Sequence, residues 1–556
     1  MPQIAPLLTT LTSMARHMPT IAASGLLSTE GKPLAALSTP ATMARYRFTT
    51  AREVEQAARV CPDRIALIDD DGSLTYQELR DNSRALARYF YQLNSKDLRI
   101  GVMARNGRGS IYPLTAKGYA GASIYLLNIG SSRDQLDGCI RRDGINLLVI
   151  DEEFLPRLPE NIQIPVIVAH REAEPHPRAA ECLDLEEIVA THTSGNLPVF
   201  PQHGAIVLMS SGTTGIPKGV MRNEPKAPTI LGAVLSEIPF RTNMNVQLTA
   251  SVFHTWGWGI LNLSFAMRCT VVTRRIFDPE RTLRDVERFK IHAMISSPIF
   301  LKRFFEVEGQ EDIDCSSLEF IFSSGHALSP WLVEAVHNRF GKILCNLYGS
   351  TEISAAAIAN MEEVAKNPTV AGKICEGTTV RILDDNDQPV PAGTVGRIFC
   401  YNNTTLNGYT DPRIPIKRVG ELVQIGDRGY IDERGLLYVL GRADDMIIVG
   451  GENVFPRSVE EVLEPMPGIQ DLYASGVDDD ETFARIAVWI VKSPTAAGEA
   501  LTEDAVRDWV RTKLADHSIP RDVHFIDELP RNATGKVMPR MLPGIPTPPH
   551  KKKPRP

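Results

Sequence analysis

The stretch LMSSGTTGIPKGV occupies residues 208–220 and continues the apolar run AIVLM at 205–209. Its small and hydroxyl-bearing residues let a backbone approach an anion closely and offer N–H and O–H donors to phosphate oxygens. Lys218 adds a mobile positive charge. A Walker loop has Gly before its Lys and Ser or Thr after it, whereas Pro217 and Gly219 flank Lys218. The stretch therefore predicts a phosphate-binding loop after a buried strand, but not a P-loop kinase or GTPase. Taken alone, it also fits an ordinary flexible surface loop.

Apolar runs alternate with helical patterns through the first two-thirds of the chain. Residues 77–93 have apolar side chains at helical spacing, whereas 98–106 and 145–154 contain short apolar runs typical of strands. Such alternation is typical of a doubly wound α/β fold with a parallel sheet. After residue 375, strand pairs closed by Asp, Asn and Gly turns indicate a β-rich subdomain. Beyond Arg442 the alternation resumes, which predicts a small α+β domain at the C-terminus.

These patterns divide the chain into four segments. We expect an N-terminal extension over 1–48, a large domain over 49–442, a small C-terminal domain over 443–541 and a disordered Pro- and Lys-rich tail over 542–556. The extension has no acidic residue before Glu30, but Arg16 alone is too little basic charge for a transit peptide. It is therefore expected to lie against the body of the protein or against a membrane surface.

The overall composition excludes several classes of protein. A length of 556 residues exceeds what one hydrophobic core usually organises. A net charge of −7 lacks the basic footprint that a nucleic-acid partner requires. Eight scattered cysteines without a C-x-x-C pair argue against a zinc site or a disulfide framework and indicate a reducing compartment. We expect a cytoplasmic protein, and the sequence leaves a peripheral membrane contact and a homodimer open.

Five further motifs follow the phosphate loop. They are FHTWG at 253–257, YGSTE at 348–352, GDRG at 426–429, GRADDMIIVGGENVFP at 441–456 and PRNATGKV at 530–537. In this order the set resembles the adenylate-forming superfamily of acyl- and aryl-CoA synthetases, luciferases and peptide-synthetase adenylation domains. The segment AGASIYLLNIGSS at 120–132 looks most like fatty-acyl-CoA ligases. The resemblance implies an enzyme that joins a carboxylate to the α-phosphate of ATP, releases pyrophosphate and then rotates a mobile C-terminal domain.

An ATP/AMP site made of distant short segments is implied by this resemblance. The loop would clamp the β- and γ-phosphates, Tyr348 would stack on adenine, and Asp427 would hold the ribose. The implied nucleotide-binding residues are Ser210, Ser211, Gly212, Thr213, Thr214, Gly215, Lys218, Ser324, Gly325, His326, Tyr348, Gly349, Ser350, Thr351, Asp427, Arg442 and Lys536. Considered one at a time, a turn Asp, a surface Arg, a core Tyr and a loop His are equally ordinary residues, and those alternatives stay open.

Four residues would carry the chemistry. Lys536 matches the lysine that reaches the α-phosphate and the acyl carboxylate, and the Thr351 hydroxyl would meet the α-phosphate. Glu352 would hold Mg²⁺, a hard cation suited to a carboxylate. His254 would stand at the mouth of the acyl pocket.

The second half-reaction is expected to use a hinge and a glycine-rich hairpin. Asp444 matches the hinge, and after rotation Gly450, Gly451 and Glu452 would take the place of Lys536. Paired glycines permit close approach of a pantetheine arm. Coenzyme A is the expected acceptor because no carrier-protein motif follows in the sequence. A separate acyl-carrier protein stays open as the acceptor.

Two features bear on the acid that is activated. Amino-acid-activating relatives place an Asp at the position of His254, so an acid without an amine is favoured. Three alanines follow Glu352 in STEISAAAIAN, at 350–360, and small walls would leave room for a long chain. We expect a medium- or long-chain fatty acid, with an aryl acid as the alternative. A non-catalytic binding relative is a different class of protein, but Glu352, Asp427 and Lys536 are all retained.

Overall fold

A computed structural model of the chain describes residues 17–93, 95, 97–210, 216–222, 229–442, 445–449, 452–479, 483–532 and 535–545. At Ala36, Ser210, Thr229, Ile448, Glu452, Asn453 and Phe483 the backbone alone is described. Two large sheets with packed helices make up most of these residues, and a smaller unit of strands and helices follows Arg442. The predicted α/β fold class with a small C-terminal domain is confirmed.

The larger sheet has 14 strands and changes from parallel to antiparallel pairing across its width. Its strands, in sheet order, are Thr379–Leu383, Gly396–Tyr401, Leu422–Ile431, Leu436–Arg442, Val370–Ile374, Ala357–Ala359, Leu344–Tyr348, Phe320–Ser324, Ala293–Ser296, Asn245–Leu248, Thr270–Val272, Ile65–Asp69 and Gly72–Thr75, with Arg418–Val419 paired to Leu422–Ile431. The strands predicted after residue 375 therefore extend this sheet and do not form one of their own. The junction is the antiparallel pairing of Val370 with Tyr438.

The second sheet has eight strands and contains the strand that leads into the phosphate loop. Its order is Gly408–Tyr409, Lys218–Arg222, Ile206–Ser210, Ser123–Leu126, Arg99–Met103, Leu147–Ile150, Val166–Val168 and Leu183–Asp184. Five of the seven pairings are parallel, and all four residues of Leu147–Ile150 are buried. A strand covered on both faces is expected to be continuously apolar, as this one is.

Most of the described α-helices begin at a side-chain cap or at a proline, whereas Arg108–Ala120 and Thr255–Ala266 have no side-chain cap. Thr75 and Glu78 form a capping box at Tyr76–Gln92, and Pro is the first residue of Pro298–Phe304 and Pro456–Leu463. The α-helices are Pro33–Tyr46, Thr50–Val60, Tyr76–Gln92, Arg108–Ala120, Arg133–Asp143, Leu185–Thr191, Thr229–Glu237, Thr255–Ala266, Pro279–Phe289, Pro298–Phe304, Pro330–Phe340, Met361–Lys366, Pro456–Leu463, Ala496–Glu499 and Glu503–Arg511. Short 3₁₀ turns occupy Glu152–Arg157, Pro177–Glu181, Gln310–Asp312, Asp516–Ser518 and Pro539–Met541.

The small C-terminal unit has a core of its own. Ile469–Asp479, Phe483–Lys492 and Asp522–Ile526 form a three-stranded sheet, preceded by the hairpin Ile447–Val449 and Glu452–Val454. Apolar residues of this sheet and of two helices pack together, among them Val459, Leu463, Val488, Ile490, Val506 and Val510. None of the helices within the described ranges combines the length and the apolar character needed to cross a membrane.

Candidate active site

A cavity of about 2470 Å³ opens between the large domain and the small C-terminal unit. All six sequence motifs contribute residues to its wall. The predicted site residues that line it are Lys218, His254, Ser324, Gly325, His326, Tyr348, Gly349, Ser350, Thr351, Glu352, Asp427, Arg442 and Lys536. Segments as far apart in the sequence as Lys218 and Lys536 therefore line one cavity.

The strands on either side of the phosphate loop form a hairpin. Ser210 pairs with Lys218 across antiparallel strands, and the Lys218 ammonium lies 5.3 Å from the centre of the Tyr409 ring. A strand follows the loop, whereas a Walker loop is followed by a helix. Other predicted residues, Ser211, Gly212, Thr213, Thr214, Gly215, Asp444, Gly450 and Gly451, lie outside the described residues, and the side chains of Ser210 and Glu452 are not described.

Tyr348 and Asp427 meet at one side of the cavity. The Tyr348 hydroxyl donates to Asp427 Oδ2 at 2.5 Å. Asp427 pairs with Arg442 in the sheet register, and an Arg442 guanidinium nitrogen lies 3.6 Å from Asp427 Oδ1. Burial raises the pKa of Asp427, while the Tyr348 hydrogen bond and the Arg442 charge act in the opposite direction. Asp427 therefore lies within a strand and not at the turn that the sequence predicted, and a carboxylate that lines a cavity can accept hydroxyl groups of a ribose.

Glu352 is held in the cavity wall by groups that the sequence did not indicate. Tyr409 Oη donates to Glu352 Oε1 at 3.1 Å, and Arg222 lies behind the turn, donating to Ser354 Oγ at 2.5 Å and to Ser350 O at 3.4 Å. Burial lowers the pKa of Arg222 to about 10, and the charge of Glu352 opposes that shift. Arg222 was missed, although an Arg at a buried position of an apolar strand is a usable signal.

The donor set at Glu352 fits a magnesium ion that is bound mainly by its substrate. Within the part of the chain that the structure describes, no group of three or more His, Cys, Asp or Glu side chains could hold a metal. Mg²⁺ commonly binds through one or two carboxylates together with substrate phosphates and water. A single carboxylate on the cavity wall, beside the strands that flank the phosphate loop, matches that pattern.

Lys536 is carried into the cavity by a tight turn of the small domain. Its backbone N–H donates to Asn532 Oδ1 at 3.0 Å, and Arg531 donates to Gly535 O at 2.6 Å. Gly535 has a φ of +81°, and a Cβ there would lie 2.6 Å from Ile299 Cγ2 of the large domain. The turn therefore requires glycine for its backbone and for its close approach to the large domain.

The electrostatic environment lowers the pKa of both basic groups at the reaction centre. Lys536 faces the cavity, but protein from both domains surrounds it, so desolvation and Arg442 lower its pKa while Asp427 and Glu352 oppose the shift. Burial and the nearby Lys536 lower the pKa of His254 to about 4. His254 is thus neutral at neutral pH, and its Nε2 finds no hydrogen-bond partner among the described residues.

The cavity extends from His254 along the helix Thr255–Ala266. Trp256 donates from Nε1 to Ser296 O at 3.0 Å and packs edge-on against Phe322 at 4.9 Å, and Trp258 also lines the cavity. Of the three alanines after Glu352, Ala355 alone lines the cavity, whereas the next two belong to a buried core cluster. Aromatic residues therefore shape this pocket more than the alanine run does.

Residues 54–410 match the AMP-binding enzyme family, and residues 458–536 match the AMP-binding enzyme C-terminal domain. The chain belongs to the AMP-binding enzyme family. This AMP-binding enzyme has the domain order and the motif set that the sequence predicted for the adenylate-forming superfamily. Membership confirms the expectation of an enzyme of the AMP-forming acid–thiol ligase class.

Relatives named as CoA ligases align with nearly the whole chain. The enzyme is 28% identical over 531 residues to a 3-[(3aS,4S,7aS)-7a-methyl-1,5-dioxo-octahydro-1H-inden-4-yl]propanoyl:CoA ligase of Rhodococcus jostii, covering 90% of this chain and 99% of that one. It is 28% identical over 498 residues to a 2-succinylbenzoate–CoA ligase of Geobacillus, covering 88% and 96%. The crystal structure of an anthranilate CoA ligase with anthranoyl-AMP has the same fold, with a TM-score of 0.78, 22% identity and coverage of 88% and 96%.

The lowered pKa of Lys536 predicts an alkaline limit to adenylation. Only the protonated lysine stabilises the developing negative charge, so kcat/KM for ATP should fall as pH rises through a pKa below the ordinary 10.5. Lys536→Arg keeps the positive charge at all accessible pH values. In this variant the fall in kcat/KM should therefore occur at higher pH, whatever the effect on the maximum rate. Pyrophosphate-exchange profiles of both proteins check this expectation, and an identical alkaline limb in the two would contradict it.

Proposed function

We propose that the AMP-binding enzyme activates a ring-bearing carboxylic acid as its acyl-adenylate and transfers the acyl group to coenzyme A. The observation that carries the adenylation step is the meeting of Lys536, Thr351 and Glu352 in one cavity with an acid pocket beside it. The names of both relatives describe acids with rings, and both are CoA ligases. They favour the aryl-acid alternative over the fatty acid that the sequence placed first.

The proposed first half-reaction joins two anions. The acid carboxylate attacks the α-phosphorus of ATP, an O–P bond forms, and the bond to the β-phosphate breaks to release pyrophosphate. The Lys536 ammonium neutralises charge on the carboxylate and α-phosphate, and the Thr351 hydroxyl donates to the same phosphate. Such fixed donors act strongly because the site is enclosed and no solvent need reorganise. Mg²⁺, held by Glu352, would supply further positive charge to the phosphates.

The pocket walls have a different task in this proposal. His254 lines the same cavity as Lys536 and is neutral, so it adds no second positive charge to compete for the carboxylate. Trp256 and Trp258 present flat apolar surface on which a ring can pack. In the second half-reaction the thiol of coenzyme A attacks the acyl carbonyl, AMP leaves with the bonding electron pair, and the thiol proton passes to solvent.

A panel of acids tests the proposal. ATP–pyrophosphate exchange should depend on added acid, and aryl or alicyclic acids should give kcat/KM values at least roughly 10-fold above those of medium- and long-chain fatty acids. Amino acids should give no exchange. Higher rates with fatty acids would favour the fatty-acid substrate that the sequence predicted. If no acid supported exchange, a non-catalytic relative would be favoured. Thioester formation with coenzyme A and with a carrier protein, compared directly, identifies the acceptor.

A further inference from the structure

The cavity continues well beyond the reaction centre, to the far end of the helix Thr255–Ala266. His254 precedes the helix, and Asn262, Leu263 and Ala266 line the cavity farther along it. At a rise of 1.5 Å per residue, Asn262 lies about 12 Å and Ala266 about 18 Å beyond His254. This helix therefore spans the distance that an elongated acid would occupy.

The far wall comes from the N-terminal segment, which the sequence predicted to be an extension. Leu26, Thr39, Met43 and Phe48 line the cavity there. Two ion pairs and a hydrogen bond anchor the segment. Glu30 is 2.7 Å from Arg64 and 2.9 Å from Arg268, and His17 Nδ1 is within hydrogen-bond distance of Ser236 Oγ at 2.8 Å. The described part of the segment is thus a fixed wall of the cavity.

Arg52 brings a positive charge to this largely apolar end. It lies on the helix Thr50–Val60, which is fastened to the cavity helix by a 2.7 Å hydrogen bond from Thr50 Oγ1 to Asn262 Oδ1. Its side chain is 15% exposed and its guanidinium carbon is 5.4 Å from the centre of the Phe48 ring. One terminal guanidinium nitrogen of Arg52 donates a hydrogen bond to Glu53, which is its charged partner.

That single pairing leaves N–H donors of the guanidinium without an acceptor. An Arg has five N–H donors, and Arg52 Nε has no acceptor among the described residues. The Trp258 Nε1 donor on the same cavity also lacks one within the described part of the chain. Buried donors without acceptors are costly, and such groups in a ligand cavity commonly find their partner on the ligand. Because Glu53 already balances the charge of Arg52, a neutral oxygen acceptor suits the pair better than a second carboxylate.

We infer that Arg52 is a specificity-determining residue that binds a ketone oxygen at the far end of the acid. The inference rests on the proposed function, because it concerns the acid activated in the same cavity. The name of the Rhodococcus jostii relative describes a propanoyl group on a ring system that carries two ketones. An acid of that class presents a carbonyl oxygen remote from the carboxylate that Lys536 receives.

A matched pair of acids and a matched pair of variants test Arg52. The acids are acetylphenylbutanoic acid and its isopropenyl isostere, which replaces the ketone oxygen with a methylene group. The wild-type enzyme should favour the ketone by roughly 10- to 100-fold in kcat/KM for pyrophosphate exchange, as expected for one hydrogen bond to a charged donor. Arg52→Met should lose that preference, because the rate with the ketone should fall by more than the rate with the isostere. Arg59→Met, an exposed position on the same helix paired with Glu55, should keep the preference.

Each other outcome overturns the inference in a recognisable way. An equal loss with both acids in Arg52→Met would make Arg52 a structural residue only, and a retained preference would place the ketone elsewhere. If the wild-type enzyme uses neither ring acid, the proposed function fails, and a straight-chain methyl ketone acid with its methylene isostere then tests Arg52 by itself. Thermal unfolding of both variants separates a loss of folding from a loss of recognition.

Discussion

Lys536→Ala is expected to lower the rate of adenylate formation by about 10²- to 10³-fold, the range for removing one preorganised donor from an enclosed site. The lysine is a charged group that the small domain brings to the cavity, through a turn that packs against Ile299. Because its pKa is lowered by desolvation, its interaction with a phosphate is stronger than that of a solvated surface lysine. Alanine leaves the carboxylate and the α-phosphate facing each other without that charge.

The two half-reactions, measured separately, give this prediction its sharpest form. ATP–pyrophosphate exchange should collapse in Lys536→Ala, whereas thioester formation from supplied acyl-adenylate and coenzyme A should be largely retained, because the lysine has no part in the thiol step. Lys513→Ala provides a matched control, since Lys513 belongs to the same domain but packs on Trp509. Equal loss of both half-reactions would contradict the separation of roles.

The contiguous motifs made much of this site predictable. Tyr348 to Glu352, or Arg531 to Lys536, are single turns whose residues must stay together in space. Six such segments resembling one family's motifs therefore implied one cavity before any fold was known. The cavity brings together their described members, although the individual roles of those residues stay predictions.

Residues that act across long sequence separations were not predictable in the same way. Tyr409 contacts Glu352 and Arg222 contacts Ser354 from other strands. An Arg in an apolar strand is a signal for Arg222, but nothing local to either residue identifies its partner. Likewise, the strands after residue 375 were predicted, but their union with the main sheet depends on a pairing between Val370 and Tyr438. The register of strands distant in sequence is a tertiary property that local patterns do not encode.

The sequence predicted less about the N-terminal segment than about any other part of the cavity wall. The composition of this segment, which has no acidic residue before Glu30, predicted an extension but indicated no function for it. Glu30 pairs with Arg64 and Arg268, which lie 34 and 238 residues farther along the chain. The helix Thr50–Val60, which contains Arg52, is amphipathic, but periodicity reports which face is buried and not whether that face borders a core or a cavity.

Glu352→Gln is expected to weaken Mg²⁺-dependent adenylation by roughly 10- to 100-fold and to raise the Mg²⁺ concentration needed for half-maximal rate. The amide keeps the shape and can still accept from Tyr409, but it removes the hard anionic oxygen that Mg²⁺ prefers. It also removes the charge that favours the protonated form of buried Arg222, so a modest fall in thermal stability should accompany the change. Magnesium titrations of pyrophosphate exchange give the first readout, and thermal unfolding gives the second.

Tyr409→Phe separates the charge of Glu352 from its positioning. This variant removes the 3.1 Å hydrogen bond to Glu352 Oε1 and leaves the carboxylate in place. Because one hydrogen bond contributes about 1 kcal/mol, the rate should fall by no more than roughly 10-fold. The Mg²⁺ requirement should move much less than in Glu352→Gln, since the ligand oxygen is still present. If Glu352→Gln kept the wild-type Mg²⁺ dependence while losing activity, the carboxylate would act by supporting Arg222 and the turn around it, and the metal would be bound elsewhere.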